Sequence, residues 1–164
     1  MTQSARVLQV SPGFFKTAGV PITSGKDFTS DDRAESPPVV IINDALRRRY
    51  WPGETPTGQY VLGAGGGSIE IVGIVGDVPQ VSLSEDPLPT LYVPQAQNPR
   101  RGMVFVLRAA SDPSTLLPAV VAAIREVDPD QPIENLAVMD DVVRSSTAQP
   151  RFFSLVLMSF AVLS

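Results

Sequence analysis

The 164-residue chain has 13 basic and 17 acidic side chains, a formal net charge of −4, and a 43% share of hydrophobic residues. This length suits one domain with a sizeable core rather than two domains. An acidic balance without a concentrated basic face argues against nucleic acid as a partner. The chain has neither cysteine nor histidine. Disulfides, thiolate chemistry, the commonest metal ligand and the usual general base are therefore excluded.

The first predicted elements are short, as the sixteen prolines of the chain lead us to expect. Residues 5–10 alternate and predict a strand, which Ser11–Gly13 ends. Residues 14–18 predict a short helix, with Gly19 placed to close it. The β-branched run at residues 38–42 predicts a buried strand.

A helix and a hairpin are predicted next along the chain. Asn43 is placed to cap a helix that runs through Trp51, where the indole N–H is expected to find one partner. Residues 59–62 and 68–75 predict two strands, and the glycine-rich segment 63–67 between them indicates a hairpin tip.

The later elements continue this mixture of strands and helices. Residues 91–93 and 103–108 predict strands, and a helix with regularly spaced apolar residues is predicted from Asp112 or Ser114 to Val127. An extended stretch and a further short helix are predicted at residues 132–138 and 139–147. The pattern as a whole predicts an α+β fold with mixed, mostly antiparallel sheets and a few short helices.

The last thirteen residues, 152–164, contain no charge. A helix of this length rises about 20 Å, whereas the hydrocarbon core of a bilayer is about 30 Å thick. The run is therefore either the last buried element of a soluble domain or the start of a membrane helix. Because a complete water-soluble fold is expected to end at Gln149–Arg151, we favour the membrane helix.

No motif for catalysis or cofactor binding emerges from the residues. The segment 19–27 has one residue too many for a phosphate-binding loop, and an aspartate stands where a hydroxyl is required. The glycines at 63–67 lead into a strand, whereas a dinucleotide site requires a helix there. Carboxylates are plentiful but dispersed. A small carboxylate-dependent hydrolase and a soluble adaptor that binds through the apolar tail stay open as alternatives.

A series of short motifs follows one another in a characteristic order. It includes VSPGFF at 10–15, VVIIN at 39–43, YWPGE at 50–54, IVGIVGDV at 71–78 and QPRF at 149–152. In this order they resemble the MacB-like extracytoplasmic core domains of FtsX-type ABC transporter permeases. The motif positions that the resemblance marks for structure or partner contact are Ser11, Pro12, Gly13, Phe15, Trp51, Pro52, Gly53, Gly58, Gly73, Asp77, Gln149, Pro150 and Arg151.

The resemblance implies a domain without catalytic residues, bound cofactor or metal. It implies that residues 1–150 are a partial core domain lacking its N-terminal half, and that residues 151–164 begin a transmembrane helix. The domain would lie on the periplasmic side of the inner (plasma) membrane. The implied partners are a cytoplasmic ABC ATPase subunit, a second permease copy and the membrane, and the implied role is to couple membrane-helix movement to export.

Overall fold

The computed structural model describes residues 5–63, 65–78, 87–100, 102–110, 112–139 and 141–142. Contacts divide the chain into two compact units. Unit 1 consists of residues 1–80 with 85–107, and unit 2 of residues 81–84 with 108–164.

Among the described residues, unit 1 contains six strands and two helices. They are β1 (Arg6–Val10), α1 (Phe14–Ala18), β2 (Ile22–Gly25), β3 (Val39–Asn43), α2 (Asp44–Tyr50), β4 (Tyr60–Leu62), β5 (Ser68–Val75) and β6 (Thr90–Pro94). Each predicted element up to residue 94 is present. β2 was not predicted, because its four residues, ITSG, carry a single large apolar side chain.

The strands form one mixed sheet in the order β1-β6-β3-β5-β2, with β4 also paired to β5. The pairs β1–β6 and β3–β5 are parallel, and the pairs β3–β6, β2–β5 and β4–β5 are antiparallel. Because β3 occupies one side of β5, β2 and β4 lie end to end along its other side. The predicted α+β class with a mixed, mostly antiparallel sheet is confirmed for the described residues.

Both faces of the sheet are covered around the central strand β3, whose five residues are all buried. Val39 and Ile41 face one apolar cluster, in which Phe15 of α1 packs edge-on against Tyr92 with ring centroids 4.9 Å apart. Val40 and Ile42 alternate to the other face, where Leu46 of α2 packs on Ile71 and Ile74. This two-sided burial explains why β3 reads as a continuous apolar run.

Local sequence signals determine where the two helices of this unit begin or end. Gly13 and Gly19 adopt positive φ angles of 79° and 73° at the two ends of α1, a conformation that glycine reaches without steric cost. At α2 the Asn43 side chain accepts a hydrogen bond from the Leu46 amide at 3.0 Å. Both predicted helix boundaries are confirmed.

Unit 2 has one regular helix among its described residues. A 3₁₀ turn (Pro113–Leu116) leads into α3 (Leu117–Val127), and no residue of α3 is buried. Pro118 lies in the first helical turn, where its missing N–H is tolerated. The predicted helix from Asp112 or Ser114 to Val127 is thus confirmed, with its first turn 3₁₀.

The predicted strand at residues 103–108 is wrong: this stretch has no regular secondary structure. Its pattern is apolar, yet Met103, Val104, Phe105 and Leu107 are 54–87% exposed, and among the described residues no strand pairs with them. A strand requires a neighbour for its backbone groups, which the pattern alone cannot supply.

Only part of the predicted C-terminal segment lies within the described residues. Asp141 and Val142 donate to the Val138 carbonyl at 3.0 and 3.2 Å, as at the start of a helical turn, but most of the predicted helix 139–147 lies outside the described residues. The apolar run 152–164 also lies outside them. Within the described ranges, no helix combines the length and apolarity needed to cross a membrane.

Candidate functional site

A group of hydrogen-bonded polar residues surrounds the start of α2. We call it the α2 junction and define it by Asn43, Arg48, Asp77 and Thr90. Asn43 is only 1% exposed. Its Oδ1 accepts from the Leu46 amide at 3.0 Å and from the Thr90 amide at 2.9 Å, and its Nδ2 donates to the Leu88 carbonyl at 2.9 Å. One side chain therefore joins β3, α2 and the start of β6.

Asp77, which follows β5 in the chain, bonds to the same helix, α2. Its Oδ1 accepts from the Ala45 amide at 2.8 Å, and its Oδ2 forms an ion pair with Arg48 Nη2 at 2.6 Å. Asn43 and Asp77 together satisfy two of the amides that a helix start leaves without intrahelical partners. The carboxylate also lies at the positive end of the helix dipole, where a negative charge is stabilising. Asp77 therefore connects the segment after β5 to α2.

A close backbone crossing fixes the contact of β2 with β5. Gly25 faces Gly73 in the antiparallel register, and the Lys26 amide donates to the Val72 carbonyl at 3.0 Å. A Cβ atom at Gly73 would lie 2.5 Å from the Lys26 carbonyl oxygen and 3.3 Å from Ile41 Cγ1. Only glycine leaves room for this crossing.

The Ser11–Phe15 motif forms the turn that links β1 to α1. The Ser11 carbonyl accepts from the Phe14 amide at 3.2 Å, and the Gly13 carbonyl accepts from the Thr17 amide at 3.0 Å. Ser11 and Pro12 are exposed, whereas Phe15 is buried to 1% exposure in the first cluster. The motif therefore anchors α1 through one aromatic side chain.

The Trp51–Gly58 motif links α2 to β4. Trp51 packs on the second cluster, and its Nε1–H donates to Gln59 Oε1 at 3.0 Å, which confirms the predicted single partner. Gly53 and Gly58 have φ angles of 79° and 84°. The Gly58 amide donates to the Ile71 carbonyl at 2.8 Å. Pro52, beside Gly53, is exposed.

The remaining motif positions, Gln149, Pro150 and Arg151, lie outside the described residues. The structure therefore brings Asp77 together with the start of α2 and Gly73 together with Gly25, but distributes the other described motif positions over separate turns. Asn43 was predicted as a cap alone. Its bonds to Leu88 and Thr90 were missed, because they join residues more than forty positions apart.

The carboxylates of unit 1 do not converge on a reactive centre among the described residues. Asp44 pairs with Arg47 at 2.8 Å, and Asp77 is committed to α2. A shallow depression is lined by Asp31, Arg33, Glu35 and Ser36. In the part of the chain that the structure describes, no three carboxylates come together in a way that could hold a metal ion.

With this geometry established, comparison with known proteins decides the family. The sequence profile of the MacB-like periplasmic core domain matches residues 1–127. The chain belongs to this family. The resemblance drawn from the motifs is thereby confirmed. No curated protein sequence matches the chain.

A solved structure agrees with the family at the level of fold. The periplasmic region of MacB from Actinobacillus actinomycetemcomitans is similar over 76% of this chain, with a TM-score of 0.56 and 17% identity. The extracellular domain of the ABC-type transporter YknZ from Gram-positive bacteria matches 54% of this chain and 42% of its own, with a TM-score of 0.42 and 19% identity. The chain spans 57% of the MacB region. By its family the chain is a MacB-like periplasmic core domain, and the periplasmic region of MacB shares its fold.

Proposed function

We propose that this MacB-like domain is a non-catalytic part of an ABC transporter permease. A cytoplasmic ATPase drives the membrane helices, and the domain passes their movement on during export. The match of the family profile across residues 1–127 is the observation that carries this proposal. The permease sits in the inner (plasma) membrane with this domain on the periplasmic side, and works with a second permease copy.

The packing of unit 1 supports a mechanical role. A domain that relays movement has to resist local deformation, since a soft element would absorb the displacement. The α2 junction meets this requirement: Asn43 and Asp77 tie α2 to the ends of β3, β5 and β6 through hydrogen bonds of 2.8–3.0 Å. The same carboxylate and amide groups are thereby occupied with structure rather than with chemistry.

We further propose the organisation that the motif resemblance implied. Residues 1–150 are the later part of the core domain, whose N-terminal half completes it, and residues 151–164 begin a transmembrane helix. Pro150 would fix the backbone φ angle directly before the apolar run. The exposed apolar side chains at residues 103–107 support a missing complementary part, because a soluble domain rarely leaves such a stretch uncovered.

Membrane sidedness can be tested with a single cysteine, since the native chain has none. Thr55 is exposed and is not one of the residues that define the α2 junction. In intact cells that express the complete gene, with any cysteine outside this chain replaced, we expect Thr55→Cys to react with a membrane-impermeant maleimide, and the same protein with Thr55 not to react. Labelling that appears only after the cells are permeabilised would contradict the proposed location.

The terminal run can be tested by flotation of the chain with phospholipid vesicles. We expect the native chain to float and Leu157→Arg to lose most of its vesicle binding, because a charge near the centre of a membrane helix costs about 2.5–3.5 kcal/mol. Thr55→Arg is the matched control and should float like the native chain. Equal flotation of all three proteins would argue that residues 152–164 do not enter lipid.

A further inference from the structure

β4 presents an uncovered edge and two large exposed side chains. Tyr60 is 65% exposed and Leu62 is 82% exposed, which are high values for apolar residues within a strand. On its inner side β4 pairs with β5, and among the described residues no strand pairs with its outer side. An uncovered edge of this kind is a template for pairing with another strand.

The hydrogen-bond pattern shows which backbone groups are available. Gly63 donates to the Gly67 carbonyl at 2.8 Å, and Ile71 donates to the Gln59 carbonyl at 2.8 Å. Residues 59 and 63 thus bond inwards to the β5 side of the hairpin. Since an antiparallel strand alternates between inward and outward backbone groups, the amides and carbonyls of Tyr60 and Leu62 point to the outer edge.

The sequence of β4 is complementary to itself under a two-fold rotation. If two copies pair antiparallel about Val61, each Tyr60 lies opposite Leu62 of the other copy, and the outward backbone groups of both residues are satisfied. Directly opposed apolar side chains of this kind stabilise a pair of strands through their contact. We propose that β4 is the contact through which two copies of this chain join their sheets edge to edge.

The charge pattern is compatible with a second copy as the occupant. The chain carries a net charge of −4, yet the segment from Gln59 to Ile69 contains no charged residue. The first acid beside it is Glu70, which lies opposite Tyr60 on β5. In the paired sheet the two Glu70 residues would be three strand spacings apart, about 14 Å, and thus beyond the Debye length of about 8 Å at physiological salt. Like-charge repulsion does not oppose this pairing.

The turn that carries the strand is already formed. Gly66 donates to the Gly63 carbonyl at 2.9 Å and has a φ angle of 79°, so the turn has its own hydrogen bond beside the ladder. A preformed edge loses less conformational entropy on pairing. Three residues a side nevertheless bury far less than the roughly 1,200 Å² of a stable interface, so pairing should be weak between free molecules. Attachment to one membrane raises the effective concentration, and in this respect the inference rests on the proposed function.

The cysteine-free chain allows a test of the register as well as of the contact. The whole chain carrying Tyr60→Cys is mixed with the whole chain carrying Leu62→Cys, in solution and on phosphatidylcholine vesicles, and disulfide formation is followed under mild oxidation. Directly opposed residues have Cα atoms about 5.5 Å apart, within disulfide reach. The mixed dimer also keeps one native Tyr–Leu pair. We expect the mixture to cross-link roughly tenfold faster than either variant alone, because pairing raises the local concentration of the two thiols.

Thr55→Cys mixed with Leu62→Cys serves as the matched control for random collision. Cross-linking of the Tyr60→Cys and Leu62→Cys mixture at the control rate, in solution and on vesicles, would overturn the proposal. Faster cross-linking of Leu62→Cys with itself would overturn the register. Flotation of the same samples reports membrane attachment separately. Chains that fail to float but still form the mixed disulfide in concentrated solution would refute the membrane segment and support the β4 contact.

Discussion

Gly73 shows how one missing side chain fixes the relation of two strands. Its position opposite Gly25 lets the backbones of β2 and β5 approach, and the Lys26 carbonyl occupies the space that a side chain would need. The motif resemblance marked Gly73, but the physical reason lies in residues almost fifty positions away. Local sequence reasoning cannot supply such a partner.

Gly73→Ala is expected to destabilise unit 1 by about 1–3 kcal/mol, the usual cost of inserting a methyl group into a packed site. The added Cβ would lie 2.5 Å from a backbone oxygen, which cannot rotate away as a flexible side chain can. The measurement is the midpoint of urea unfolding. Gly65→Ala is the matched control, since a Cβ there meets nothing within 4 Å. Equal midpoints for the two variants would contradict the steric explanation.

Asp77 is expected to contribute more to the free energy of unfolding than an ordinary surface acid does. Asp77→Ala removes both the hydrogen bond to the Ala45 amide and the ion pair to Arg48, and should lower the free energy of unfolding by about 1–2 kcal/mol. The ion pair contributes the smaller part, because Arg48 is more than half exposed and solvent screens it. Asp77→Asn retains an acceptor for the amide and should cost less.

Asp31→Ala supplies the comparison for this prediction. Asp31 also forms an ion pair, with Arg33 at 3.6 Å, but both side chains are largely exposed. Its removal should change the unfolding free energy by less than about 0.5 kcal/mol. If urea unfolding gave the same small change for Asp77→Ala, the α2 junction could not be the stiff connection that the proposed function requires.

At the scale of elements, one exposed carboxylate caps the 3₁₀ turn that leads into α3. The Ser114 backbone amide donates to Asp112 Oδ1 at 2.9 Å. This bond is the larger reason why the pKa of Asp112 lies below its ordinary value of 3.8. A hydrogen bond from the Ser114 side chain is the second reason. A lowered pKa in the folded state means that the cap is fully effective above pH 3.8 and is lost as the pH falls through the lower folded value.

We therefore expect α3 to lose protection against amide hydrogen exchange as the pH falls below the folded pKa of Asp112. The exchange rates of residues 117–127 measure this loss. Asp112→Asn keeps an acceptor oxygen but does not titrate, so its helix should show a smaller loss over the same acid range. The other carboxylates titrate in both proteins, so the difference between the two proteins isolates the contribution of Asp112. Parallel loss of protection in both proteins would show that Asp112 does not control the helix start.

The elements also show what sequence patterns can and cannot predict. α2 was predictable because its cap and its terminating turn, from Asn43 to Gly53, are local signals. β2 was missed because it is defined by pairing with β5 and not by its own composition. The segment 103–108 has the composition of a strand, but no strand in the described part of the chain pairs with it. Apolar alternation predicts which segments can enter a sheet, while the availability of a partner decides which ones do.

At the scale of the whole molecule, burial is uneven. The sheet of unit 1 has apolar clusters on both faces, whereas residues 103–107 are mostly exposed and α3 of unit 2 buries none of its residues. Since apolar burial is the main favourable term in folding, the stability of this chain should reside in the sheet. The exposed segments would gain their burial from the missing half of the core domain that we propose.

Two phenylalanines of unit 1 test this distribution directly. Phe15 is 1% exposed and packs on Tyr92, whereas Phe105 is 65% exposed. Phe15→Ala should cost about 3–5 kcal/mol, since it removes a buried aromatic ring and leaves a cavity. Phe105→Ala should change the urea midpoint of this chain little and should reduce binding of a hydrophobic dye.

In the complete core domain, where we propose that this surface is covered, Phe105→Ala should become destabilising. An equal and small effect in both contexts would mean that the surface at 103–107 stays exposed and that the proposed second half does not cover it.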